Sequence, residues 1–324
     1  MTKNMREYTD LIVDRTKPPI GYITLNRPER RNALSSKAGG TIDQLEWAFE
    51  EMREDPEIRV ILIQGAGECF CTGFDLSGYD DSYYKPPKGG LGKGREKEAW
   101  TKLAMTNPEN PEAAIIDRNW WGRDSIWNNP KPVVAKVDSY CLGAGLWLCN
   151  HCDMVYATEE AVFGYPPIRF GGSAICEILP PWILGLRMTK EMGLTGRTIA
   201  AQEAYNCGLI TRVFPRDKID EEVDKICMSV AKVPPMSNSV SKWVINNYFD
   251  ALPTKMAWAL GMACCFAMEN TTLPGHYFEF FENIRTKGLQ EAMRLRDEKY
   301  GFSDEVLQNE RKRLKAKREA NKGK

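Results

Sequence analysis

The feature that most narrows the folds open to this 324-residue chain is a pair of glycine turns, each following a short apolar run. Val60-Ile61-Leu62-Ile63 leads into Glu68-Cys69-Phe70-Cys71-Thr72-Gly73-Phe74-Asp75-Leu76. Val133-Val134-Ala135-Lys136-Val137 leads into Asp138-Ser139-Tyr140-Cys141-Leu142-Gly143-Ala144-Gly145-Leu146-Trp147. A repeated order of strand, glycine turn and helical pattern implies a mostly parallel α/β sheet. Ligands bind at the carboxyl ends of such strands. Glycine lets the backbone approach a ligand closely and turns amide N–H groups outward at a helix N-terminus, where paired donors can hold a developing oxyanion. Two such turns predict one site.

Around this pair, residues 10–14 and 20–25 read as a hairpin, and Ser35 opens an amphipathic segment through Ile42, Leu45, Trp47, Phe49 and Met52 that Asp55-Pro56 ends. Strands are expected at 59–64, 132–137 and 209–214, helices at 181–192 and 199–207, and an all-helical pattern beyond about 217. Trp258, Met262, Phe266 and Tyr277-Phe278-Glu279-Phe280-Phe281 suit helices packed on helices. The Pro/Gly/Lys-rich stretch Tyr83–Gly94 has no apolar periodicity and no Gly-Lys-Ser/Thr, so it reads as a flexible flap rather than a phosphate loop.

Composition removes several function classes. Lys plus Arg equals Asp plus Glu at 44 each, which gives no global charge for nucleic acid or an anionic membrane. The polar start, Met1 to Tyr8, lacks a signal-peptide core, and no run of about 18 apolar residues suggests a span, so the expectation is a cytoplasmic protein. The ten cysteines read as reduced packed thiols, Cys149-Asn150-His151-Cys152 included. His151 reads as a satisfied core histidine, and neither it nor His276 sits in a motif that aims it at a serine. Asp138 is expected to cap the second turn. The last fourteen residues hold eight Lys or Arg and one acidic residue, the pattern of a solvated, fraying helix end.

The chain resembles the crotonase (enoyl-CoA hydratase/isomerase) superfamily over roughly residues 8 to 300. Besides the two turns, the likeness rests on Thr24-Leu25-Asn26-Arg27-Pro28-Glu29-Arg30-Arg31-Asn32-Ala33-Leu34, Pro130–Val137, Cys152-Asp153, Ala161-Val162-Phe163-Gly164, Leu194-Thr195-Gly196-Arg197 and Glu203–Ile210, in family order. The resemblance implies a crotonase-like ββα spiral core over 1–216, with a flexible loop at about 78–98. It also implies a C-terminal helical trimerisation region over 217–303 and a charged, mobile tail over 304–324, in a homotrimer or homohexamer. The substrate is then an acyl-CoA thioester; coenzyme A arrives with it, and the residues call for no further cofactor or metal. The N–H groups of Phe74 and Ala144 would form the oxyanion hole. Arg30, Arg31, Ala33, Thr72, Asp75 and Leu76 would contact coenzyme A, arginine suiting phosphate through its planar fork.

Two departures qualify the resemblance. Family hydratases carry two proton-handling glutamates, and counting along the motifs places Trp147 and Pro167 at those positions. Neither can transfer a proton, and each such group is worth about 100- to 10,000-fold in rate. Tyr165, Arg169, Ser173 and Glu177 are the nearby groups able to move a proton or place a charge, with Glu177 the best general base. Trp147, with Trp120, Trp121 and Trp127 upstream, reads either as core packing or as the wall of a site for a bulky or ring-shaped acyl group. Unusual hydration, isomerisation or carbon–carbon hydrolysis all pass through the same oxyanion. A non-catalytic acyl-CoA binding or scaffold subunit is the alternative.

Overall fold

The computed structural model describes residues 6–35, 37, 39–76, 123–170, 180–251, 275–299 and 305–322. The flap, Trp120, Trp121, Ser173, Glu177, Trp258, Met262, Phe266, Cys264 and Cys265 lie outside the described residues.

The hairpin forms as β1 (Leu11–Asp14) and β2 (Ile20–Leu25), paired antiparallel from Leu11 opposite Leu25 to Asp14 opposite Tyr22. From β2 the sheet continues in parallel through β3 (Val60–Gly65), β4 (Val133–Val137), β6 (Met154–Thr158) and β9 (Arg212–Phe214), giving the order β1-β2-β3-β4-β6-β9. Helix connections between parallel strands bury both faces of such a sheet, and β3 shows it residue by residue. Ile61 and Ile63 face one apolar cluster, while Val60 and Leu62 face the other. The first cluster is closed by α1 (Thr41–Glu54) through Ile42, Leu45, Phe49 and Met52. The second is closed by α6 (Ile219–Lys232) through Ile219, Val223 and Cys227 at helical spacing.

A smaller sheet, β5 (Tyr140–Leu142), β7 (Val162–Gly164) and β8 (Thr198–Ala200), pairs β5 with β7 in parallel and β7 with β8 antiparallel. Between them lie α2 (Ala144–His151), a 3-10 turn at Pro166–Phe170, α3 (Pro181–Leu184), α4 (Leu186–Thr195) and α5 (Ala201–Asn206). The C-terminal part supplies α7 (Pro235–Ala251), α8 (Gly275–Lys287), α9 (Leu289–Lys299) and α10 (Glu305–Lys322).

Several boundaries differ from the sequence reading. The first helix starts at Thr41 instead of Ser35, with Gly40 at its N-cap. The helix expected at 181–192 is split at Gly185, whose φ of 74° breaks the helical course. Residues 198–200 pair with β7 before the helix at 201 begins, and the strand expected at 209–214 shortens to 212–214. The described residues after 216 are mostly helical, as expected, yet α6 packs on the main sheet and belongs to its core.

The largest correction concerns the basic tail. Leu307 and Leu314, seven residues apart on one face of α10, are buried with Cys69, Tyr140, Leu142 and Val162. Glu310, on the same helix and also buried, accepts hydrogen bonds from the Ser139 hydroxyl and from Arg313 Nε at 2.6 Å. Lys317 pairs with Glu68 at 2.7 Å. Lys312, Lys315 and Arg318 are exposed, and the sparse apolar positions dock the helix with the ion pair of Lys317 beside them. Replacing Leu314 by Ala should therefore cost about 2–5 kcal/mol of unfolding free energy. Lys312→Ala, on the exposed face, should stay within about 0.5 kcal/mol, a contrast that chemical denaturation resolves and a fraying tail would not give.

Candidate active site

The two glycine turns meet. Cys71 N–H donates to the Tyr140 carbonyl at 2.8 Å and Leu142 N–H to the Cys71 carbonyl at 3.0 Å, a one-residue parallel bridge between the segments. Gly73, at φ 97°, brings the chain so close that a Cβ there would lie 3.2 Å from Ala144 N and 3.0 Å from the Leu142 carbonyl oxygen. Gly143 takes φ 57° and ψ −122°, a conformation side chains resist, and starts α2 without any side-chain cap. A Cβ on Gly145 would stand 2.7 Å from the Cys71 carbonyl oxygen, so Gly-Ala-Gly is required by close backbone approach as well as by turn geometry.

The same turns orient the two predicted donors. Leu34 N–H donates to the Gly73 carbonyl at 2.8 Å, and Asp75 N–H to the Leu34 carbonyl at 2.9 Å. This parallel bridge uses the groups flanking Phe74 and turns the Phe74 N–H away from Leu34. Ala144 is the first residue of α2, where an N–H has no intrahelical acceptor. Among the described residues neither N–H donates to a backbone carbonyl.

Around the first turn, the residues matched to coenzyme A contacts divide by their present partners. Arg30 is exposed at the end of a 3-10 turn, and the Arg31 guanidinium lies 5.7 Å from the Tyr140 ring centroid. Thr72 donates its hydroxyl to the Arg31 carbonyl at 3.3 Å, and Leu76 is half-buried beside it. Asp75 is ion-paired with Arg27 at 2.8 Å, and Arg27 also donates to the Ala33 carbonyl at 2.6 Å. Buried Asn32, at φ 54°, accepts from Arg27 N–H and donates to the carbonyls of Ala66 and Cys69 at 2.9 and 2.6 Å. Arg27 and Asn32 thus shape this loop, a role the sequence reading did not assign. Asparagine's tolerance of left-handed backbone was the available signal.

Around the second turn, Trp147 is buried in the main core with its ring 4.7 Å from that of His151, edge to face. His151 Nδ1 lies 2.9 Å from the Trp147 carbonyl, so it is the satisfied core histidine expected. Asp138 does not cap α2; its carboxylate accepts from the Thr158 hydroxyl at 2.9 Å and pairs with Arg216. Tyr165 is buried in the same core as Trp147, and Pro167 lies over the turn, its Cγ 3.9 Å from where a Gly143 Cβ would be. Arg169 departs from its expected role near reacting carbons. Its side chain is 1% exposed and committed to Asp297 at 3.3 Å and, through Nε, to the Thr195 carbonyl at 3.3 Å.

Beneath the turns the thiols pack as predicted: Cys141 Sγ lies 3.4 Å from Cys149 Sγ, and Cys71 Sγ accepts from Gly73 N–H at 3.4 Å. Among the described residues no group of three His, Cys, Asp or Glu could hold a metal ion, and no helix is long and apolar enough to cross a membrane.

The family model for enoyl-CoA hydratase/isomerase matches residues 20–257, which contain both turns and the core between them. The chain belongs to the enoyl-CoA hydratase/isomerase family. It is 31% identical over 249 residues to a putative enoyl-CoA hydratase, EchA13, of Mycobacterium tuberculosis, covering 76% of this chain and 75% of that one. It is 30% identical over 227 residues to the mevalonyl-coenzyme A hydratase sidH of Aspergillus fumigatus, covering 69% and 73%. An enoyl-CoA hydratase/isomerase crystal structure from Xanthobacter autotrophicus Py2 superposes with a TM-score of 0.74 at 28% identity, over 90% of this chain and 99% of that one. The crotonase fold of the family is therefore the fold of this chain.

Burial pushes the Cys71 thiol up to about 12, and raises Cys141 and Cys149 as well. The thiolate, which is the reactive form, gains population only as pH rises toward such values. Iodoacetamide at pH 8 should leave these three unlabelled in the native protein and label them after denaturation, as peptide mass mapping would show.

Proposed function

We propose that this protein processes an acyl-CoA thioester by holding the thioester oxygen, as it becomes an enolate oxygen, between the N–H groups of Phe74 and Ala144. The observation that carries the reading is the convergence of two glycine turns that leave both N–H groups without a backbone acceptor among the described residues. Preorganised donors at such a position act where charge develops and need no reorganisation during reaction. Coenzyme A would lie along Arg30, Arg31, Ala33, Thr72, Asp75 and Leu76, with Arg31 the phosphate contact.

Trp147 and Pro167 stand at the positions of the two hydratase carboxylates, which favours unusual hydration, isomerisation or carbon–carbon hydrolysis of a bulky or cyclic acyl chain. Glu177, with Ser173 or Tyr165 in support, is the candidate for proton transfer. Incubation with linear, branched, cyclic and aromatic acyl-CoA thioesters, read by mass spectrometry and chromatography, separates these reactions. A gain of one water marks hydration or hydrolytic ring opening, which the product structure tells apart, and an isobaric product marks isomerisation; Glu177→Gln should slow each. Binding of every thioester without conversion would establish the scaffold alternative instead.

Ala144→Pro tests the donor directly. Proline is tolerated in the first turn of a helix, so the change removes the N–H at a position where the helix does not need it. Turnover should fall on the order of 100- to 1,000-fold with the circular dichroism unchanged. Full activity would sink the oxyanion assignment.

Oligomerisation through the C-terminal helices is part of the same proposal. On α7, Lys242 and Asn246 point inward, Lys242 pairing with Asp153 at 2.7 Å and Asn246 donating to the Trp127 carbonyl at 2.7 Å. Val240, Trp243, Val244 and Tyr248 are exposed, Trp243 at 65% and Tyr248 at 71%. A helix with a polar inner face and an apolar outer one fits coverage by further copies of the chain. Trp243→Glu should lower the mass in light scattering from that of a trimer or hexamer to that of the monomer; a wild-type monomer would refute this.

A further inference from the structure

The site described above leaves a buried charged cluster unused. Asp297, on α9, receives three arginines: Arg169 at 3.3 Å, Arg296 at 2.6 Å and Arg311, from α10, at 3.3 Å. The side chains of Arg169 and Arg296 are almost wholly buried, so the Asp297 carboxylate faces guanidinium groups that water does not screen.

Arg169 belongs to the Pro166–Phe170 turn, and that turn is held at both ends. At one end the guanidinium bridges Asp297 and the Thr195 carbonyl at the close of α4. A Cβ on Gly196 would meet Ile168 Cγ2 at 2.7 Å and Arg169 Cγ at 3.0 Å, so the turn is pressed against that glycine. At the other end Pro167 Cγ lies 3.9 Å from where a Cβ on Gly143 would be, and the Gly143 N–H donates to the Gly164 carbonyl at 2.9 Å. The turn therefore links Asp297 to the neighbourhood of the residue immediately before Ala144.

We propose that Asp297 is a positioning residue, which acts through Arg169 to hold the Pro166–Phe170 turn against Gly143 and so fixes the direction of the Ala144 N–H. The inference rests on the oxyanion reading of that N–H. Removing the carboxylate takes from Arg169 its ion pair to α9, and the turn, losing that anchor, relaxes away from Gly143.

The test uses the full-length protein saturated with 3-phenylacryloyl-CoA, whose conjugated thioester absorbs at longer wavelength when donors polarise its carbonyl. A variant that is merely less stable lowers the amount of bound complex without changing the wavelength. Asp297→Asn should lose about half or more of the wild-type red shift, because a hydrogen bond weakens steeply once its donor is misaimed. Arg169→Lys should do the same and serves if Asp297→Asn does not fold, whereas Asp297→Glu should recover most of the shift. Arg311→Gln, which touches Asp297 from α10 rather than from the turn, should keep it. A full shift in folded Asp297→Asn or Arg169→Lys, or an equal loss in Arg311→Gln, would overturn the positioning role alone. Saturated wild type with no shift would overturn the oxyanion reading and this inference together.

Discussion

The structure depends on the one-residue bridge between Cys71 and Cys141. Two backbone hydrogen bonds join segments that arrive from different strands of the main sheet, and they set the distance from Gly73 to Ala144. The proposed chemistry requires two N–H groups to point at one atom, which calls for a short bridge with thin surroundings. That requirement excludes side chains at Gly73 and Gly145 and places small, buried thiols at Cys71, Cys141 and Cys149 instead of larger apolar groups. The preference for cysteine here has a packing origin, since sulfur fills the space while its hydrogen-bonding demand is weak.

Much of this was legible in the sequence because it is written in local terms. Apolar runs bounded by glycine marked β3 and β4, and the positive φ at Gly73 and Gly143 follows from the need for glycine there. Membership of the family was legible from motifs kept in order. What escaped was set by distant partners. Arg169 resembled a group that could serve an acyl chain, yet Asp297, 128 residues away, claims it. Ile199-Ala200 looked like the start of a helix because its strand partner lies elsewhere in the chain. Asp138 looked like a cap until Arg216, 78 residues on, supplied its counter-charge.

The C-terminal tail shows why composition misleads when few residues decide the outcome. Leu307, Glu310 and Leu314 form one face of α10, and only that face meets the body. The lysines and arginines dominate any count of the segment, yet of them Arg311 and Lys317 alone add ion pairs to Asp297 and Glu68 among the described residues. The inverse holds on α7, whose buried face is the polar one: Lys242 spans carbonyls of the loop before β4 and the carboxylate of Asp153. Burial lowers the pKa of that lysine and raises that of that aspartate, so each depends on the other to remain charged.

The contact between Ser139 and Glu310 joins residues 171 positions apart. A chain emerging from the ribosome begins to fold from its N-terminal end, and contacts of long sequence separation form late. Both glycine turns are therefore made long before the helix that braces them leaves the exit tunnel. The turns can pair with each other as soon as both have been synthesised, whereas the Ser139–Glu310 contact has to wait for a segment encoded far downstream.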